Sequence, residues 1–431
     1  MSAKKPVALV SVPTTHRKFT GRLLVRLDVK TNTAAIIRAA KAQGLQLITA
    51  TDEKADGTIS RMLQTFDGII FERLRVALIN EAGASKLAQL QKTSGSPFLA
   101  SEPERFVRKL QAGAKGRGGL YKDTSVATWG VHAVGASGSR ATGKGVKLAI
   151  LDTGFDFTHP DFSGRTIHRK SFVGTRAAKD NEGHGTHIAG IAGGDRKGRD
   201  GARYGLASGA RLYIGKILDD NGEGTDGVTL AGIEWALEKG CQIITMSFGA
   251  PMEAGDAHSA VFEQVAQIAL ANRCLLVGAS GNESGRTSAK PTIAAVNHPA
   301  NCPSIMAVGA LTQALGVAEY SCAGREGGPL GSAGAGLSPG SLGAASTAGS
   351  GGQVDIAAPG DNILSSKPGG GYRRESGTSM ATAFVAGVAA LLWEQHPGAS
   401  AWEIWARLTQ QAWRLSVGAV DVGAGLCALR N

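Results

Sequence analysis

Four short stretches of this chain carry side chains able to do acyl-transfer chemistry. Leu151-Asp152-Thr153-Gly154 ends an apolar run on a carboxylate, and Gly183-His184-Gly185-Thr186-His187 puts an imidazole at the head of a helix-forming segment. Gly278-Ala279-Ser280-Gly281-Asn282-Glu283 sets a carboxamide just past another apolar run. Gly377-Thr378-Ser379-Met380-Ala381-Thr382 opens an apolar segment, continuing to Trp393, that reads as a buried helix. A serine at such a helix start meets free backbone N–H groups and the positive end of the helix dipole. That setting favours the negative charge that develops when a hydroxyl attacks a carbonyl. Each residue also has an ordinary use. Ser379 can be a helix cap, Asp152 a turn cap, His184 a structural histidine and Asn282 a left-handed turn residue. Singly they decide nothing; together, in this order, they point to nucleophilic catalysis.

Such residues need a scaffold that brings them to one edge. Apolar runs at 146–151, 211–218, 242–246, 274–278 and 305–310 read as strands buried on both faces. Helical patterns at 186–193, 227–239, 257–272, 378–395 and 401–413 alternate with them. The fold class expected is α/β, a doubly wound and mostly parallel sheet. Ligands of such sheets sit outside the carboxyl ends of the strands, where the candidate residues fall. Ahead of this body, strands at 21–27, 45–49, 68–71 and 74–79 and helices at 34–42 and 84–92 predict a small α+β, ferredoxin-like unit. The expected division is an N-terminal domain over 1–110, a Gly- and base-rich linker over 111–121 and a main domain over 122–431. The main domain carries a Gly/Ser/Ala-rich insertion at 327–352.

Composition bounds the function. The net charge of +11 is unevenly spread: residues 1–120 hold 20 Lys and Arg against 9 Asp and Glu, and the remainder holds 26 against 26. A basic appendage on a neutral body admits nucleic-acid binding, but the aromatic interleaving of such surfaces is missing, and an intramolecular partner fits better. Cys241, Cys274, Cys302, Cys322 and Cys427 are odd in number and lack metal-binding spacing. No run reaches the length of a membrane span. The start, Met1 to Pro13, has too short an apolar stub for a secretory signal, so the expectation is a cytoplasmic protein or one exported by a non-standard route.

The four motifs, and the texture of residues 122–431, resemble the subtilases, the subtilisin-like serine proteases. The order Asp, His, Ser is that of subtilisin. The resemblance implies a serine endopeptidase with Ser379 as nucleophile, His184 as general base, Asp152 holding the imidazole and Asn282 in the oxyanion hole. It implies a polypeptide substrate paired between Ser247-Phe248-Gly249 and an opposite edge running from Leu218 through Gly224 and Asp226. Glu283 and Asp226 are then expected near the S1 and S4 pockets, with a modest preference for basic or polar side chains there. His187 is expected to be structural. Residues 21–107 are similar, more loosely, to the family's inhibitory propeptide, so the N-terminal domain is expected to inhibit its own chain and to be cut off between Val107 and Lys122. Two departures stand out. Ala383-Phe384 replaces the family's Pro-His, which keeps a peptide ligase or macrocyclase on the same triad as an alternative, beside a non-catalytic peptide-binding scaffold. The loop Asp195 to Gly201 carries three cations where the family binds calcium, so no cofactor is certain and calcium dependence stays open, although Asp161 keeps the family's carboxylate position.

Overall fold

The structure, a computed structural model, describes residues 17–52, 58–112, 119–174, 177–195, 201–253, 256–324 and 351–430. The insertion expected at 327–352 lies almost wholly outside the described residues, as do 113–118 of the expected linker and 196–200 of the loop weighed for calcium.

An N-terminal unit is built from β1 (Phe19–Leu27), α1 (Thr33–Ala42), β2 (Leu47–Thr49), α2 (Ile59–Thr65), β3 (Gly68–Phe71), β4 (Val76–Ile79), α3 (Ala84–Lys92) and β5 (Phe98–Lys109). Helix α1 starts where Asn32 Oδ1 accepts the Ala35 N–H at 2.8 Å, and it turns Ile36 and Ala40 inward. The sheet runs β5-β1-β4-β3-β2, antiparallel except where β2 joins β3. Apart from β2 and α2, this is the split β-α-β order of a ferredoxin-like unit.

The body follows as α4 (Trp129–Ala133), β6 (Lys147–Asp152), β7 (His168–Ser171), α5 (His184–Gly193), β8 (Arg211–Lys216), β9 (Glu223–Thr225), α6 (Asp226–Glu238), β10 (Ile243–Met246) and β11 (Phe248–Gly249). It continues with α7 (Ala260–Ala271), β12 (Leu275–Ala279), β13 (Met306–Leu311), β14 (Ile356–Pro359), β15 (Ile363–Ser366), β16 (Tyr372–Glu375), α8 (Thr378–Gln395), α9 (Ala401–Gln411) and α10 (Ala419–Val422). The central sheet has the order β14-β13-β12-β10-β6-β8-β7 and every pairing in it is parallel. Strand order reverses at β6, which places a crevice at its carboxyl end. One face packs on α5 and α8, and α8 is buried along its whole length from Thr378 to Trp393. The other face packs on α6 and α7, and its apolar cluster extends into the N-terminal unit through Leu24, Phe71, Val76, Leu78 and Val107.

That shared core is fastened by carboxylates at helix starts. Glu104, fully buried, accepts the Gly227 N–H at 2.9 Å in the first turn of α6, and its other oxygen meets Thr20 and Arg22. Glu102 accepts the Ala260 N–H at 3.1 Å and the Ser259 hydroxyl at the start of α7. In the reverse direction, Glu234 of α6 accepts the backbone N–H groups of Arg73 and Leu74 at 3.0 and 3.2 Å. Negative charge at a helix N-terminus is favoured by both the free donors and the dipole.

Candidate active site

Asp152 is the last residue of β6 and His184 the first of α5, so both project from element ends into the crevice. His184 Nδ1 donates to Asp152 Oδ1 at 2.8 Å, and neither side chain is exposed. The two elements are tied together by Asp180, which was not singled out from the sequence. Asp180 accepts the Gly183 and Thr186 N–H groups at 2.6 and 2.8 Å and the Thr153 hydroxyl at 2.9 Å. An aspartate four residues ahead of a helix-starting histidine was the available signal. Burial alone disfavours charge on His184, but the Asp152 carboxylate and its hydrogen bond, aided by Glu375 and Glu182, raise the imidazole to about 9.

Ser379 stands in the first turn of α8, fully buried. Its hydroxyl lies 2.8 Å from the Ser247 carbonyl oxygen and 2.5 Å from the Leu110 carbonyl oxygen. It makes no hydrogen bond to His184 in this arrangement; among the described residues His184 Nε2 has no hydrogen-bond partner at all. Asn282 Oδ1 accepts both the N–H and the hydroxyl of Thr378 at 2.9 Å, which fixes the carboxamide and leaves Nδ2 buried without a partner among the described residues. A Cβ on Gly377 would come within 2.7 Å of the Leu110 carbonyl oxygen and 3.1 Å of Asn282 Nδ2. Only glycine lets that carbonyl and that amide share one side of the Ser379 turn.

The carbonyl belongs to the residue just past β5, whose far half leaves the N-terminal sheet and enters the crevice. There it pairs antiparallel with β9 on one edge, Val107 opposite Gly224, and with β11 on the other, Lys109 opposite Phe248 and Arg108 opposite Gly249. Leu110 N–H reaches the Ser247 oxygen at 3.3 Å, and beyond it the Ala112 N–H reaches the Ser376 oxygen at 2.7 Å. Ser247, Phe248, Gly249 and Gly224 thus line an extended strand, whereas Leu218 is buried in the cluster that holds Val107. Asp226 accepts the Arg105 N–H at 2.9 Å and His298 Nε2 at 2.8 Å. Glu283 Oε2 takes the Asn282 N–H at 2.8 Å and the Cys322 thiol at 3.2 Å. The strand's cations meet two carboxylates missed in the sequence: Lys109 pairs with Glu182, and Arg108 with Glu223 at 3.1 Å.

His187 lies deeper on α5, its Nε2 against the Ile363 and Arg373 carbonyls at 3.1 and 3.2 Å. Burial, with Arg373 and His184 nearby, lowers it to about 3, so it stays neutral. Ala383 and Phe384 are buried in α8, and the Phe384 ring fills the space over Gly130. Asp161 Oδ2 takes the hydroxyls of Tyr204 and Tyr372 at 2.7 and 2.9 Å. Among the described residues no group of three or more His, Cys, Asp or Glu is placed to hold a metal ion, and no helix is long and apolar enough to cross a membrane.

Comparison with known proteins gives the family. The sequence model of the Subtilase family matches residues 143–426. Subtilisin of Bacillus pumilus is 35% identical over 260 residues, 59% of this chain and 79% of that protein. Subtilisin E of Bacillus subtilis (strain 168) is also 35% identical over 260 residues, and there the match spans 57% of the relative's length. Fervidolysin from Fervidobacterium pennivorans, described as a keratinolytic enzyme related to subtilisin, superposes with a TM-score of 0.67 at 21% identity, over 98% of this chain and 62% of that one. At that identity the likeness speaks for the fold. The doubly wound parallel sheet, the placement of the four motifs at strand and helix ends, and the match over residues 143–426 lead to one conclusion: this chain belongs to the subtilase family of serine-type peptidases.

Proposed function

We propose that the chain is a serine endopeptidase made as a self-processing zymogen, in which residues up to Leu110 act as intramolecular inhibitor and first substrate. The observation that carries this reading is the Leu110 carbonyl oxygen 2.5 Å from Ser379 Oγ, at the end of a strand paired on both edges. β-Augmentation is how an extended peptide is held for cleavage. With Leu110 so placed, the bond to be cut is Leu110–Gln111.

Two of the buried polar atoms without a partner among the described residues are ones the chemistry uses. His184 Nε2 is the proton acceptor for the Ser379 hydroxyl, which turns from its carbonyl contacts to attack the Leu110 carbonyl carbon. Asn282 Nδ2 and the Ser379 backbone N–H at the head of α8 receive the oxyanion. The imidazolium, held by Asp152, then returns the proton to the Gln111 nitrogen as the C–N bond breaks, leaving Leu110 as an ester on Ser379. Water, deprotonated by the same His184, hydrolyses the ester. The inhibitory role follows from the docking surface: with β5 paired on both edges and Glu102 and Glu104 capping α7 and α6, the cleaved unit stays in the cleft.

A fluorophosphonate probe tests the nucleophile. Processed wild-type chain freed of its cleaved N-terminal unit is expected to take one label, located at Ser379 by peptide mass mapping, and Ser379→Ala none. A label elsewhere, or none on the freed wild-type body, overturns the reading.

A further inference from the structure

The cleft does more than hold a backbone. We propose that it selects substrates with Lys or Arg at the second residue before the cut, and that Glu182 is the residue that selects; this rests on the peptidase reading above. Lys109, the second residue before Leu110–Gln111, drives its ammonium onto Glu182 Oε1, and the two side chains are 23% and 15% exposed. The aliphatic stem lies on Gly222, where a Cβ would come within 2.8 Å of Lys109 Cγ and Cδ. A glycine there leaves room for a long unbranched stem and nothing bulkier on the loop side.

Glu182 is set before any substrate arrives. Its Oε2 accepts the His184 backbone N–H at 2.8 Å, so the carboxylate is anchored at the start of the helix that carries the base. Arg373, whose guanidinium covers Gly183, is already paired with Glu375. Glu182 therefore keeps one oxygen for an incoming cation. Lys109 Nζ also touches Gln111 Oε1 at 3.0 Å.

The third residue before the cut is read less strongly. Arg108 pairs with Glu223 at 3.1 Å, but the side chains are 38% and 48% exposed, and such pairs are worth little in water. Leu110 and Val107 are 5% and 1% exposed, so the first and fourth positions take apolar side chains. The preferred sequence is apolar–basic–basic–apolar, cut after the last. The rival explanation is that Lys109–Glu182 merely fastens the chain's own N-terminal unit.

Peptides supplied in trans separate the two. Full-length chain is expressed, allowed to process and separated from its cleaved N-terminal unit. Its kcat/KM is then measured on Phe-Val-Arg-Lys-Leu-Gln-Ala and on versions with Arg, Ala or Glu in place of the lysine. Lys and Arg are expected to exceed Ala by about tenfold, with Glu slowest, because a charge-assisted hydrogen bond is gained or lost. In Glu182→Gln the series collapses to within about threefold, and Glu182→Lys favours the Glu peptide. The same exchange runs in cis: Lys109→Glu slows self-cleavage, and Lys109→Glu with Glu182→Lys restores it. A flat wild-type series, or a lysine preference that survives Glu182→Gln, overturns the proposal while leaving the peptidase intact. Cleavage of no peptide by wild type and Ser379→Ala alike overturns the peptidase reading and this one with it.

Discussion

Glu104 Oε1 accepts the Gly227 N–H at 2.9 Å, so a carboxylate from the N-terminal strand caps the helix that closes one side of the cleft. Glu104 is fully buried and also holds Arg22. Glu104→Ala leaves the part-buried Arg22 guanidinium without its carboxylate and a helix start uncapped, and should cost about 2 kcal/mol of docking or folding stability. Glu104→Gln keeps an acceptor and should cost less. Urea denaturation of both variants in a Ser379→Ala background, where no cleavage interferes, checks the order; equal midpoints for all three proteins would contradict it.

Catalysis should be alkaline. His184 serves as base only when neutral, and Asp152, Glu375 and Glu182 raise its proton affinity from 6.5 to about 9. The rising limb of kcat/KM against pH therefore lies above the ordinary imidazole range. Glu375, itself raised by burial next to this cluster, can be changed to Gln; removing its charge should move the limb to lower pH. A limb at the ordinary imidazole position in the wild type, or one unmoved by Glu375→Gln, would contradict the assignment.

Asn282 should act on the transition state and hardly on binding. Asn282→Ala removes Nδ2, which has no partner among the described residues, and also the Oδ1 that holds Thr378. The loss measured on subtilisin's own oxyanion-hole asparagine, about 10²–10³ in kcat, is the scale to expect, with KM little changed. Steady-state kinetics on one peptide distinguish this from a binding role, in which KM would rise at constant kcat.

Stability should respond to pH through Asp355 in a direction opposite to a paired carboxylate. Burial raises it to about 7 even though its Oδ2 accepts the Ala307 N–H at 2.7 Å. The folded chain then binds this proton more tightly than the unfolded chain, so stability is full below 3.8 and falls as pH rises to about 7. Asp355→Asn keeps an acceptor without the charge. It should raise the melting temperature in Ser379→Ala chain at neutral pH and leave it unchanged in acid; a fall at neutral pH would contradict the sign.

Much of this was legible in the residues. The buried strands announced themselves as unbroken apolar runs, and the 378–395 helix and the 84–92 helix have the ends read from the sequence. What escaped had no pattern to show. Strand β7, His-Arg-Lys-Ser, is a polar edge strand, and the β15–β16 hairpin is read only through its pairing. The last five residues of β5, Arg-Phe-Val-Arg-Lys, mix cations and apolar groups whose partners, β9 and β11, are distant in sequence. Glu182 and Asp180 were passed over because a carboxylate before a helix is ordinary until the chain folds it against Lys109 and Thr153.

The central claim is that Ser379 cuts its own chain at Leu110–Gln111, and intact mass tests it most directly. Wild type and Ser379→Ala are expressed side by side and weighed. The account predicts wild type as two fragments, the larger beginning at Gln111, and Ser379→Ala whole. Both chains whole, both chains cut, or a wild-type cut at any other bond would contradict it.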